Sequence, residues 1–350
     1  MEITFYCHDE NFKLSGSLLQ EKGVGGGKTA LINLARALVK RGCKVKVVGF
    51  VEEGKYDGVD YINKGKIKDI KTEVLVITTS QKLDLYELKE KNIQAKLIFL
   101  WLHGVAPVKG MDEYEWSGII CVSHFVKNQF IKTTQIPAEK FFVIHNGVDT
   151  SLFKWYYRFI IKRDPFGIVF ASHPIKGFDK VVNLVKELRE EISPRFFLDV
   201  YGGYKLWGDD QPELNLSSNI ASFKGLIPQH QLIKRLFSYN FMINFYSLPE
   251  GFGLIYPQAM KAGVICIVSN VGGVSEVIKD GYNGFLISNP VDAESALSEV
   301  KNIVYSLIKE SKFANYIRKN AMKYNRDWKD VATEFLSLLN SKIVQNYKNF

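Results

Sequence analysis

A chain of 350 residues with 46% apolar and 24% charged side chains is too apolar for a disordered polymer and long enough for two cores of ordinary size. No apolar run approaches the ~18 residues a membrane-spanning helix needs, and MEITFYCHDE lacks the basic and apolar regions of a secretory leader, so residence in the cytoplasm is the expectation. The net charge of +9 is spread along the chain (21 basic against 18 acidic residues up to residue 150, 25 against 19 beyond) and forms no basic arm. With no recognition motif beside it, nucleic acid is not expected as a partner; an anionic small substrate, or loose peripheral contact with the inner, anionic face of a membrane, accounts for the surplus. Cys7, Cys43, Cys121 and Cys266 are far apart and form no C-x-x-C pair, which excludes a disulfide framework and a zinc site and leaves four thiols in a reducing compartment.

Short apolar runs rich in β-formers alternate with helical patterns from the start of the chain. EITFYC predicts a strand. After a polar loop, GKTALINLARALVKRG predicts a helix, because Leu31, Leu34, Ala35, Leu38 and Val39 recur at helical spacing and Gly42 follows as a stop. KVKVVGF, EVLVITT, KLIFLWL, GIICVS and FFVIHN continue as strands, and this alternation predicts βαβ units around a parallel sheet.

The entry to that helix, EKGVGGGKTAL, sets glycines beside a lysine and a threonine as a P-loop does. That loop requires G-x-x-x-x-G-K-[ST]. Counting back from Lys28, its first glycine should be residue 22, which is Lys22; Gly23 comes one position late. No strand leads directly into the stretch, and no strand ending in aspartate offers to hold Mg²⁺. What remains is a glycine triplet before a helix. Gly25, Gly26 and Gly27 permit positive φ and close approach of a ligand, and the free amides of a helix N-terminus favour a phosphate. A tight turn is the plain alternative.

Near residues 150–166 the pattern breaks. LFKWYYRFIIKRDPF is aromatic and basic, and a connector packed in the seam between two domains is the expected reading, with a membrane-touching segment as the alternative. FGIVFAS, FFLDVYG, ASFKG, FMINFY, ICIVS and GFLI then form a second set of strands, with helices such as FDKVVNLVKELREE between them. After about residue 295 the chain reads as helical throughout. Two α/β domains in tandem are predicted.

The densest chemistry lies in LPEGFGLIYPQAMKAGVICIVSNVGGVSEVIKDGYNGFLI, residues 248–287. It reads as a loop, a helix beginning near Gly253, a buried strand, a Gly272–Gly273 turn and another helix. Glu250 stands beyond the carboxyl end of the FMINFY strand, where open α/β sheets bind ligands. There its carboxylate can accept from sugar hydroxyls while the amides of Phe252, Gly253 and Leu254 face an anion; a helix-capping acid is the plain alternative.

This segment resembles the donor-site signature of the retaining glycosyltransferases of family 4, E-x7-E within E-G-F-G-φ-x-x-x-E-A-M-A-x-G, followed by G-G-x-x-E. Glu250, Gly251, Phe252, Gly253, Leu254, Ala259, Met260 and Gly263 match, as do Gly272, Gly273 and Glu276. GGGKTALINLARALVKRGCKVKVV, ICVSHFVKNQF, VIHNGVDTSLF, HPIKGFD and YNRDWKDVATEFL are similar to the family's first glycine loop, fifth-strand region, interdomain link, diphosphate loop and closing helix. The resemblance implies the α/β GT-B fold: two Rossmann-like domains facing a central cleft, residues 1–155 on the acceptor side and 156–325 on the donor side, with helix 326–350 crossing back to the first domain. It also implies a nucleotide diphosphate sugar, UDP- or GDP-linked, as donor and a hydroxyl acceptor on a glycan, lipid or small molecule, with no metal and no other cofactor.

By the same resemblance His103 contacts the transferred sugar, Gly26, Gly27 and Lys176 hold the diphosphate, and domain closure brings the acceptor into place. A strand-capping histidine and a surface lysine are the plain alternatives for His103 and Lys176. Two departures stand out. The second glutamate of E-x7-E is Gln258, which keeps a carbonyl acceptor for the nucleotide ribose but not the charge. The arginine expected shortly before Lys176 is absent, with Ser172 and His173 in its place. A nucleotide-sugar epimerase of the same fold, or a relative that binds nucleotide sugar without turnover, are the alternatives.

Overall fold

The computed structural model describes residues 1–10, 13–79, 83–88, 91–209, 211–214, 220–288 and 294–348. It divides into two compact units, one made of Met1–Leu18, Gly26–Gly147 and Arg326–Phe350, the other of Leu19–Gly25 and Val148–Asn325.

The chain begins with β1 (Glu2–Cys7), the one-turn α1 (Leu18–Glu21) and α2 (Gly26–Val39). Then come β2 (Lys44–Gly49), β3 (Gly54–Tyr56), β4 (Val59–Asn63), β5 (Asp69–Thr79), β6 (Leu83–Asp84), β7 (Asn92–Leu102), β8 (Val108–Lys109), β9 (Gly118–Cys121), α3 (His124–Thr133) and β10 (Phe141–Val143). The sheet of the first unit runs β10-β9-β7-β5-β1-β2-β4-β3 and is parallel apart from the β3–β4 hairpin. Val74, Leu75, Val76 and Ile77 of β5 are all fully buried, as expected where helices cover both faces of a parallel sheet. This is why the strands read as continuous apolar runs rather than as alternation.

The hairpin is an addition to the predicted strands. Asp57 and Gly58 turn it with φ of +50° and +81°, and Tyr56 pairs with Val59, a two-residue loop whose twist suits an antiparallel pair.

The second unit contains α4 (Tyr157–Ile160), β11 (Gly167–Ser172), α5 (Phe178–Glu191), β12 (Phe197–Gly202), β13 (Ala221–Gly225), α6 (Gln229–Leu236), β14 (Phe241–Asn244), α7 (Ile255–Lys261), β15 (Ile265–Ser269), β16 (Phe285–Ile287), α8 (Glu294–Lys309) and α9 (Ser311–Ala321). Its parallel sheet runs β13-β12-β11-β14-β15-β16. Val181, Leu184, Val185 and Leu188, one stripe of α5, pack into a core with Ile168, Phe170, Leu198 and Ile243 of the strands.

The final helix, α10 (Trp328–Lys348), belongs to the first unit. Phe335 lies 6.1 Å from Phe5 and 6.3 Å from Trp101, ring centre to ring centre. Arg326 Nε donates to the His145 carbonyl at 3.0 Å, and Arg41 Nη2 donates to Thr333 Oγ1 at 2.7 Å. Among the described residues no helix is long and apolar enough to cross a membrane.

The aromatic, basic segment after the first unit departs from the packed connector expected of it. Tyr157 and Phe153 do pack, on Phe237 at the end of α6. Trp155, Phe159 and Ile160 instead stand 73%, 73% and 65% exposed.

Candidate functional site

In the second sheet the strand order turns back between β11 and β14. The loops after those two strands therefore leave in opposite directions and open a crevice at their carboxyl ends, the place where open α/β sheets take ligands. Lys176 follows β11 and Glu250 follows β14. The strand order brings these residues, 74 apart in sequence, into direct contact: Lys176 Nζ donates to Glu250 Oε2.

Each partner is fixed by its own loop. His173 Nδ1 accepts from the Ile175 amide at 3.2 Å and so caps the 3-10 turn Pro174–Lys176. With Nδ1 accepting, Nε2 carries the proton and faces Asp209 Oδ2 at 2.7 Å, while the ring stacks on Trp207 at 4.2 Å. Both ring nitrogens are thereby used in shaping the turn. His173 is a positioning residue here, not a replacement for the absent arginine. Gly177 closes the turn with φ +83°, and a Cβ on it would meet the Phe245 carbonyl oxygen at 2.2 Å, so only glycine lets this loop close on the end of β14.

Glu250 is held from the other side. Its carbonyl accepts from the Gly273 amide at 2.8 Å, and a Cβ on Gly272 (φ +67°) would meet that same oxygen at 2.1 Å. The glycine pair after β15 thus exists to let the Glu250 loop settle against it. Ser269 Oγ accepts from the Tyr246 amide at 3.0 Å, tying the start of the loop to β15.

The Lys176 and Glu250 side chains are only 11% and 16% exposed. A pair taken that far out of water loses much of its attraction to desolvation, so it contributes little to stability, and its burial is better explained by function. The Lys176 ammonium also stands 5.1 Å from the ring centre of Tyr246, which the sequence presented only as part of a strand. Burial, with the Glu250 charge beside it, pushes the Tyr246 hydroxyl up to about 12. At neutral pH it is a neutral donor beside the pair. Asn244 Nδ2, at the end of β14, is buried with no hydrogen-bond partner and is a further donor at the crevice.

Phe252 and Leu254 are buried, Gly253 takes φ +72°, and Gln258 is buried on α7. The helix starts at Ile255, two residues later than expected; Pro257 in its first turn needs no amide partner there and fits this start. With seven residues, α7 carries a weak dipole. The electrostatics of the crevice therefore rest on Lys176 and on the fourteen-residue α5 behind it.

One expectation for the entry to α2 needs correction. None of Gly25, Gly26 and Gly27 takes a positive φ, and Gly26 and Gly27 are themselves the first two residues of α2. Their contribution is the missing side chain and not the left-handed backbone. Lys28 is buried, its Nζ 4.0 Å from Asp9 Oδ2, and burial pulls its pKa down. His103 ends the first-unit sheet beyond β7, its ring 4.3 Å from Trp101. Burial lowers its pKa to about 4 against a weaker upward pull from Asp9, and its Nε2 is buried with no hydrogen-bond partner.

The profile of the glycosyl transferases group 1 matches residues 166–324, which include the whole crevice, and that of Glycosyltransferase Family 4 matches residues 114–152. Most of the second unit is therefore similar to the group 1 glycosyltransferases. A phosphatidylinositol N-acetylglucosaminyltransferase subunit of Arabidopsis thaliana is 27% identical over 61% of this chain and 46% of its own. The O-antigen chain mannosyltransferase RfbU of Salmonella typhimurium is 27% identical over 57% of this chain and 55% of its own. The chain thus spans about half the length of these curated relatives. Anabaena HepE, solved in complex with UDP-glucose, superposes with a TM-score of 0.68 at 17% identity, over 97% of this chain and all of that one. The fold is GT-B.

Proposed function

We propose that the chain is a retaining glycosyltransferase that moves a hexose-type sugar from a UDP- or GDP-linked donor to a hydroxyl acceptor, with the donor held in the crevice of the second unit. The buried Lys176–Glu250 pair at the turning point of the sheet carries this reading. A diphosphate satisfies Lys176 with more charge than one carboxylate does, and Glu250, released, becomes an acceptor for sugar hydroxyls. The Gln258 amide oxygen accepts from a ribose hydroxyl in place of a carboxylate. The relatives named for transfer of N-acetylglucosamine and mannose, and the UDP-glucose complex of HepE, support a nucleotide-sugar donor.

When the bond between the anomeric carbon and the diphosphate oxygen breaks, its electron pair stays on the diphosphate. Lys176 and the first-turn amides of α5 stabilise that growing charge, which favours the transition state over the bound substrate. The acceptor oxygen forms its bond to the anomeric carbon on the face the diphosphate leaves, and its proton passes to the departing phosphate oxygen. In the first unit, His103 offers a neutral, buried Nε2 to a hydroxyl.

The test is product analysis with UDP- and GDP-hexoses, with and without a mixture of lipid and glycan acceptors. Sugar transferred only when acceptor is present supports the reading. Conversion of the donor to another nucleotide sugar without acceptor contradicts it in favour of an isomerase. If the protein and its Gln258→Glu variant both bind donor and neither turns it over, the chain is a binding protein.

A further inference from the structure

Between Asp149 and Asp164 the chain has no acidic residue, and it has three exposed basic ones, Lys154, Arg158 and Lys162. Arg163 is not part of that surface: its guanidinium donates to the carbonyls of Tyr239 and, at 2.7 Å, Ala262. Within the same nine residues stand the exposed Trp155, Tyr156, Phe159 and Ile160. They form two pairs at i and i+4, Trp155 with Phe159 and Tyr156 with Ile160, in each of which the first residue lies in the turn that leads into α4 and the second lies in α4 itself. Trp155 and Phe159 touch at 5.9 Å between ring centres, so the aromatics form one patch. The patch is mounted firmly, because Tyr157 and Phe153 from the same segment pack on Phe237. A further cation flanks the mounting, the Lys261 ammonium 5.7 Å from the Phe153 ring centre.

We propose that Lys154–Lys162 is a membrane-interface anchor that docks the second unit on an anionic lipid bilayer. Aromatic rings prefer the headgroup boundary, and Lys and Arg meet anionic headgroups; one chemistry without the other gives only weak binding. This segment has both, in one turn that projects from a packed base. Exposure of four large apolar side chains so close together calls for a covering surface. A second copy of the chain is a poor cover: a two-fold contact would press Lys154, Arg158 and Lys162 against their own counterparts with no acid in the segment to offset them. Phospholipid supplies the apolar layer and the negative charge together.

The inference does not depend on the transferase reading, and it is tested without a donor. The full chain is sedimented with vesicles of phosphatidylcholine containing one-third phosphatidylglycerol, and with vesicles of phosphatidylcholine alone. The wild type is expected to partition onto the anionic vesicles and to release as salt is raised. The pair Trp155→Ser/Phe159→Ser and the pair Arg158→Glu/Lys162→Glu are each expected to lower that partition at least about tenfold. Their thermal melts should match the wild type, since these side chains are exposed. Equal partition of wild type and both variants, or no binding by the wild type, overturns the proposal. So does self-association of the wild type in vesicle-free buffer that the aromatic variant abolishes, which would make the cover a second copy. Variants that lose vesicles should still bind nucleotide sugar, so failure of the anchor and failure of the transferase reading remain distinct.

Discussion

Glu250 is the residue on which the proposed chemistry is most exposed to test. Its backbone is fixed by the Gly273 amide and its side chain by Lys176, so replacing the carboxylate changes charge with little change of shape. Glu250→Gln is expected to lower kcat by about a hundredfold, with a smaller change in KM for donor, because the lost charge–dipole contacts strengthen as the sugar becomes cationic. Steady-state kinetics at saturating acceptor check this; an unchanged kcat removes Glu250 from the site. His103 makes a separate prediction. Its folded-state pKa of about 4 lies below its ordinary 6.5, so folding favours the neutral ring. Above pH 6.5 the ring is neutral in both states and contributes nothing to the pH dependence. As pH falls from 6.5 to 4 the unfolded chain takes up a proton that the folded chain refuses, and stability drops by at most about 1.4 kcal/mol per pH unit. In His103→Gln that part of the decline should vanish, as urea midpoints at pH 7 and pH 5 would show. Lys176, Glu250, Gly253 and Gln258 of the candidate site could be singled out from the sequence because each stands in a short local pattern. Their contacts could not, because the meeting of Lys176 with Glu250 depends on β11 lying beside β14, and residue spacing does not carry strand order.

At the scale of elements, glycines set how closely the loops pack. Gly177→Ala places a methyl 2.2 Å from the Phe245 carbonyl at a left-handed φ, so the Lys176 turn must move away from β14. Donor affinity should fall about tenfold or more while far-UV circular dichroism keeps its native shape; unchanged affinity would show that the turn tolerates displacement. In the first unit α10 is held by Phe335, fully buried between Phe5 and Trp101. Phe335→Ala is expected to cost about 3–5 kcal/mol, read as a lower urea midpoint for first-unit unfolding. The predicted apolar runs all became strands, since a parallel sheet covered on both faces demands continuous apolar sequence. The β3–β4 hairpin lies at the edge of the sheet, where half-polar sequence suffices. Its one local signal was the Asp57–Gly58 turn, which apolar patterning does not register. The segment around Trp155 is packed only in part, at Phe153 and Tyr157, because aromatic content predicts burial against something without saying which of the rings the protein itself covers.

For the whole molecule, the likeness to the group 1 glycosyltransferases rests on the family match across the second unit, and the GT-B fold on a superposition that spans nearly the whole chain. Under the proposed function the sugar transferred is set by the donor, which is held in the second-unit crevice. Calorimetric titration of the wild type and of Lys176→Ala with UDP-glucose, UDP-N-acetylglucosamine and GDP-mannose tests this most directly. Saturable binding of at least one of them by the wild type, weakened about tenfold or more in Lys176→Ala, is the predicted result. Binding of none of the three by the wild type, or equal binding by the variant, would contradict it.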